Sequence, residues 1–291
     1  MLMEHTSGLQ NVPITTEEIW PSPDFVQLAL AAELVTDPGK AYSYNNKAVN
    51  LLAGIVERAD GRKLDDFTRM ELLRPLGISD GEWMRDASGN PHAMSGLALH
   101  AEDLTRVGQL LLQRGRWQGS QLIDSAWFDV MDGPGDDKRE SALMWWHVQQ
   151  GNLTVADRHI SAMRAAGVDP VIIAFFQRNQ GKHASPMDLL VSARKSLGFW
   201  QERLPDGVQP FDFQQGRRLG YRAEGDLGQY VYAFNDTGLV ISRLIRESTI
   251  EAVVPESRNP PASVEEHLER IEPFLFSDFE NHAIALSQSL E

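Results

Sequence analysis

From Lys47 onward the apolar residues fall at helical intervals: Val49, Leu52, Ile55, Val56 and Ala59 recur at three- and four-residue steps, and Gly61 ends the run. A second helix is expected over 64–73, stopped ahead of Pro75 and Gly77. A third is expected over 102–114, where Leu104, Val107, Leu110 and Leu111 share one stripe and Gly115 stands just past the end. After the turn signal at 132–136 the period changes. The stretches "QYVYAF" and "LVISRLI", flanking Asn235-Asp-Thr-Gly238, are rich in β-branched and aromatic residues and predict a hairpin at the end of a sheet. The segment 151–219 is less regular, with one helix expected after Ser185-Pro186, where serine caps and proline takes the first helical position. Ser263-Val-Glu-Glu266 has the pattern of a capping box and predicts a last helix. The pattern thus divides a single domain, 1–291, into a mainly helical part (1–135), a sheet-forming part (136–250) with an irregular or helical insertion (151–219), and a helical tail (251–291).

Composition narrows what such a domain can do. Hydrophobic residues make up 42% and charged residues 23%, ordinary globular usage. A net charge of -14 opposes a phosphate backbone, so nucleic acid is not an expected partner. Zero cysteines remove thiol catalysis, disulfides and thiolate metal sites together, and the eight histidines show no spacing that places two on one helical face. No metal and no cofactor are expected. No apolar run approaches the roughly 18 to 20 residues of a membrane-spanning helix, and Met1 to Gln10 has neither a basic region nor an apolar one of the secretory kind. Compartment and oligomeric state stay open, with a periplasmic or secreted location possible if a segment upstream of Met1 supplied the signal.

The chemistry begins with "AYSYNNKAVNLLAGIVERADGRKLDDFTRMELLRPLGI", in which Tyr44-Asn45-Asn46 precedes a helix containing Asn50-Leu51-Leu52 and Pro75-Leu76-Gly77 closes the next one. Three further stretches accompany it in order: "HTSGL" at 5–9, "SGLALHAEDLTRVGQLLLQRGRWQGSQLI" at 95–123, and "AEGDLGQYVYAF" at 223–234. Together they resemble the serine β-lactamase and penicillin-binding-protein superfamily, in particular its class C and esterase-like branch. The resemblance reaches from residue 2 to about 245. It implies the β-lactamase/transpeptidase-like α/β sandwich, with the leading strands and the nucleophile helix absent from this chain.

In that superfamily a serine attacks a carbonyl carbon, a lysine three residues later helps to remove its proton, and a tyrosine phenol relays the proton to the leaving group. Backbone amides hold the oxyanion. The resemblance implies that Tyr44 is the acid/base and that Asn46 orients the substrate or the lysine. It implies that Gly225 lets its strand approach the substrate, with Asp226 nearest the second oxyanion amide. Taken alone, Tyr44 reads more simply as a tyrosine packing its ring at a helix start; the surrounding match is what assigns it chemistry. The His5-Thr6-Ser7-Gly8 turn shapes the fold rather than reacting, and Trp145-Trp146 reads as sheet or core packing.

The superfamily's Ser-x-x-Lys should lie upstream of the His-Thr-Ser-Gly turn, where this chain has almost nothing. Of the six lysines, only Lys195 has a serine three residues earlier, Ser192, which follows the tyrosine triplet instead of preceding it and matches at chance frequency. Ser192 is therefore not expected to be the nucleophile, and the chain is expected to begin inside a larger fold. Ala223 also stands where the superfamily most often has lysine or histidine. The resemblance accordingly implies a serine hydrolase acting on a small carboxylic ester, amide or β-lactam, inactive as the isolated chain. A non-catalytic remnant or ligand-binding pseudoenzyme is the alternative.

Overall fold

The computed structural model describes residues 1–12, 18–79, 81–133, 141–183, 186–197, 200–205, 207–225, 228–246 and 277–290. The helix expected from Ser263 lies outside the described residues, as do Ser185 and most of the turn at 132–136.

In chain order the helices begin with α1 (Phe25–Leu30), α2 (Asn46–Val49), α3 (Leu51–Asp60) and α4 (Leu64–Thr68), the last running on into a π-helical turn, Arg69–Leu73. They continue with α5 (Ala101–Leu112), α6 (Ala126–Asp132), α7 (Asp157–Ala165), α8 (Pro170–Arg178), α9 (Pro186–Leu197) and α10 (Ser277–Gln288). Two short ribbons, β1 (Glu82–Trp83) with β2 (Leu97–Ala98) and β3 (Arg116–Trp117) with β4 (Ser120–Gln121), stand apart from the main sheet. That sheet comprises β5 (Ser141–Ala142), β6 (Trp145–Val155), β7 (Gly181–His183), β8 (Asp212–Gly225), β9 (Gln229–Phe234) and β10 (Val240–Arg243). Its order is β10-β9-β8-β6-β5, with β7 pairing onto β6.

The chain divides into two compact units, Met1–His147 with Tyr221–Leu275 and Val148–Gly220 with Phe276–Glu291. In the first, α5 lies against β9 and β10. Gly108 makes this possible, because a Cβ there would stand 2.6 Å from Val240 Cγ1 and 3.2 Å from Val231 Cγ2. Leu111 on α5 joins Phe128 and Met131 of α6 with Tyr221 and Ala233 of the sheet in one buried cluster, and Leu110 joins Leu73, Leu76 and Ile78 in another. An apolar cavity of about 340 Å3 opens beside them, lined by residues that include Met3, Leu72, Val107, Trp127, Leu143 and Trp145. The second unit has its own core, in which Ile172, Phe175 and Phe176 of α8 meet Met163 of α7, Leu189 of α9 and Trp200.

The predicted hairpin is present, with Val240 opposite Ala233 and Arg243 opposite Tyr230, and β10 is the last strand of the sheet. The helix expected over 102–114 ends at Leu112, because Arg114 and Gly115 both turn to positive φ, +50° and +79°. The helix expected from Lys47 is present but divided at Asn50, and Gly61 ends it at φ +90°. No described helix is long and apolar enough to cross a membrane.

Candidate functional site

The residues around Tyr44 are held by the turn that opens the chain. His5 takes φ +52°, a left-handed conformation that histidine accepts better than most residues, and Gly8 takes +76°. A Cβ on Gly8 would lie 2.2 Å from the Thr36 carbonyl oxygen, so only glycine fits here. The Gly8 carbonyl accepts from Val35 N–H at 2.9 Å, and the Thr6 carbonyl accepts from Gly39 N–H at 2.7 Å. The turn is thereby packed against 34–39, and its other side meets the segment 42–45.

His5 grips that segment by three contacts. Its carbonyl accepts from Ser43 N–H at 2.8 Å, and its Nδ1 accepts from Asn45 N–H at 3.1 Å. Its ring lies 4.4 Å from the Tyr44 ring, centroid to centroid, with 35° between planes. An Nδ1 that accepts must be unprotonated, so in the neutral ring the hydrogen sits on Nε2. Burial pushes the imidazole pKa below its ordinary 6.5, outweighing the opposite pull of the Glu4 carboxylate. Nε2 is buried with no hydrogen-bond partner among the described residues.

Asn45 then starts α2. Its side-chain oxygen accepts from Ala48 N–H at 2.9 Å, an N-cap, while its Nδ2 donates to the Leu9 carbonyl at 3.1 Å. The cap places Asn46 in the first helical turn, partly buried, and buries Lys47. The Lys47 ammonium donates to Gln10 Oε1 at 2.7 Å and to the Glu18 carboxylate at 2.8 and 2.9 Å. Its side chain is only 2% exposed and that of Glu18 28%, so this is a nearly buried ion pair satisfied by three acceptors. Lys47 thereby ties the helix start to Gln10 and Glu18.

Tyr44 itself is 45% exposed. Its carbonyl accepts from Asn11 Nδ2 at 2.7 Å, and its ring centroid is 6.2 Å from that of Trp146. A phenol whose ring is flanked by two others and whose surface is partly open can exchange a hydrogen bond or a proton with a bound molecule. Trp146 and Trp145 point to opposite faces of β6 by strand alternation. Trp145 lines the apolar cavity whereas Trp146 meets Tyr44. Packing accounts for Trp145 as expected, but Trp146 belongs with Tyr44, and the alternation is the signal that separates them. His5 is the other contributor missed in the sequence, where its turn read as a marker only.

Gly225 is the exposed last residue of β8, the strand next to the one carrying Trp146. A Cβ on it would approach Gln229 Cβ at 3.0 Å across the hairpin. Asp226 lies outside the described residues. Tyr44 and Asn46 thus come together at one helix start, and Gly225 occupies the strand end of the same unit. Ser192 is exposed on α9 of the second unit. Among the described residues no group of three or more histidines and carboxylates could hold a metal ion.

A family model described as Beta-lactamase matches residues 1–254. No curated protein matches the chain. Among solved structures, a Bacillus anthracis protein assigned as a 6-aminohexanoate-dimer hydrolase is 16% identical, with a TM-score of 0.53 over 98% of this chain and 61% of its own. A Bacteroides dorei DSM 17855 protein assigned as a beta-lactamase is 18% identical, with a TM-score of 0.45 over 84% and 63%. Simvastatin synthase from Aspergillus terreus is 17% identical, with a TM-score of 0.43 over 96% and 67%. The chain spans a little over three-fifths of the length of the first two, and the first of these likenesses shows the fold.

Proposed function

This chain belongs to the beta-lactamase family, and we propose on that premise that its first unit carries the substrate site of a serine hydrolase, centred on Tyr44, for a small carboxylic ester, amide or β-lactam. In such a centre a serine hydroxyl adds to the carbonyl carbon, the bond to the leaving group breaks, and water later releases the acid from the acyl-serine. The Tyr44 phenol is the group that passes the serine's proton to the leaving group. Asn46, the first residue of the helix beside it, orients the substrate or a lysine. Gly225 lets the strand end approach the carbonyl, and Asp226 is the residue nearest the position that donates the second oxyanion amide.

The observation that carries this reading is the state of Tyr44. Its backbone is fixed by Asn11 and by the capped Asn45, and its ring is flanked by His5 and Trp146. Yet 45% of it remains open to a ligand. A tyrosine serving only to fill the start of a helix would gain more by burial.

The sole Ser-x-x-Lys in the sequence, Ser192–Lys195, follows the tyrosine triplet where the superfamily's motif precedes it, and it matches at chance frequency. The isolated chain should therefore bind the acyl substrate without turning it over, which is also what a ligand-binding pseudoenzyme would do. A nitrophenyl ester, a nitroanilide and a chromogenic cephalosporin test this together. The expected result is saturable quenching of tryptophan emission with no release of chromophore. Turnover abolished by Tyr44→Phe would show that the chain holds a nucleophile of another kind. Absence of any saturable binding would remove the site.

A further inference from the structure

We infer that His5 is a positioning residue for Tyr44: by accepting the Asn45 N–H through Nδ1 and covering one face of the Tyr44 ring, it sets where the phenol points. The inference rests on the reading of Tyr44 as the group that touches substrate, and it adds to that site a residue that acts through Tyr44. Its basis is geometric. His5 is 1% exposed and meets three consecutive residues, Ser43 through its carbonyl, Tyr44 through its ring and Asn45 through Nδ1. The Tyr42 ring also meets it edge-on, at 5.9 Å between centroids. A ring held by both a polar and an aromatic contact is restricted in orientation, and it restricts in turn the Tyr44 ring tilted against it.

The same geometry makes the arrangement sensitive to protonation. When Nδ1 gains a proton it becomes a donor facing the Asn45 N–H, and an attraction is replaced by two donors in opposition. The titratable groups facing His5 are Glu4, whose carboxylate favours the protonated ring, and the phenols of Tyr42 and Tyr44. Glu4 also accepts from Leu143 N–H at 3.0 Å, which ties its carboxylate to that backbone. Burial keeps the imidazole neutral down to a pH below 6.5, and Tyr44 keeps its position over that range. Further acidification should release it.

Two substitutions separate the contacts. His5→Asn keeps a residue that tolerates φ +52° and keeps an acceptor atom at the position of Nδ1, while it deletes the ring tilted against Tyr44. His5→Phe keeps a ring and deletes the acceptor. The measurement is the fluorine resonance of 3-fluorotyrosine placed at position 44 in the whole chain, followed with pH beside the imidazole protons of His5. In the unsubstituted chain the fluorine signal should shift with the same midpoint as His5, below 6.5. In His5→Asn that pH response should vanish, with Glu4 still present, and the signal should move toward the position of a free tyrosine. In His5→Phe it should be displaced at every pH. A Tyr44 signal indifferent to pH while His5 titrates would overturn the proposal, and this arm needs no variant to fold. The fluorine signal reports the coupling whether or not an ester binds, so failure of ligand binding would count against the substrate site and leave this inference standing.

Discussion

Gly8 is the position in the opening turn where the smallest change should cost most. A methyl group there meets the Thr36 carbonyl at 2.2 Å on a backbone already at φ +76°, so Gly8→Ala combines a left-handed penalty with overpacking. The expected loss is about 2 to 4 kcal/mol in urea unfolding; a loss below about 0.5 kcal/mol would mean that the turn relaxes freely. Lys47 gives a second measure. Glu18→Ala leaves a buried ammonium short of its counter-charge and should cost about 3 kcal/mol, whereas Lys47→Met removes charge and partner requirement together and should cost less. Equal costs would show that the pair carries no desolvation penalty. Acid should act through the buried histidines. His5, His92 and His159 all have pKa values pushed below 6.5 by burial, so folding favours their neutral forms. The unfolded chain then binds more protons as pH falls below 6.5. Their contribution to stability is complete above that pH and is lost on acidification toward the lowered values. Thermal melts from pH 7.5 to 5 should show a falling midpoint, with a shallower fall in His5→Asn.

At the scale of elements, the docking of α5 on the β9–β10 hairpin depends on a residue without a side chain. Gly108→Val would drive methyl groups into Val240 and Val231, and a loss of about 1 to 3 kcal/mol is expected. An unchanged unfolding midpoint would mean that the helix can lift from the sheet without cost. Both partners of this contact were legible in the sequence, the helix from its leucine stripe and the hairpin from paired β-branched runs around Asn235-Asp-Thr-Gly238. The contact itself was not, because a glycine within a helical stripe reads as a weak point rather than as a place of closest approach. Period also could not show the division of the helix from Lys47 at Asn50. Asn50 supplies its side-chain oxygen to Met94 N–H at 3.3 Å, a bond from 44 residues away. At the candidate site, Tyr44 and Asn46 were legible through a triplet followed by an apolar helix. His5 and Trp146 were hidden because their roles are contacts across 39 and 102 residues of sequence (44 minus 5, 146 minus 44) that no local pattern carries.

For the whole molecule, the two units make different demands. The second packs a core that includes Phe175, Phe176 and Trp200, and the first has an apolar cavity of about 340 Å3. A neutral environment-sensitive dye, which the net charge of -14 does not repel, should bind there saturably. Val107→Phe, which adds bulk to the lining, should weaken that binding about tenfold, a difference of about 1.4 kcal/mol. No emission gain in the unsubstituted protein would mean that the cavity is filled. Family membership, the sheet and the cavity do not locate the chemistry, and the proposed site places it at Tyr44. The most direct measurement is therefore the affinity of a nitrophenyl ester for the whole chain and for Tyr44→Phe at equal folded stability. Loss of one hydrogen bond of about 1 kcal/mol predicts roughly fivefold weaker binding in the variant. Equal affinity, with the fold intact, would contradict the assignment of the substrate site to Tyr44.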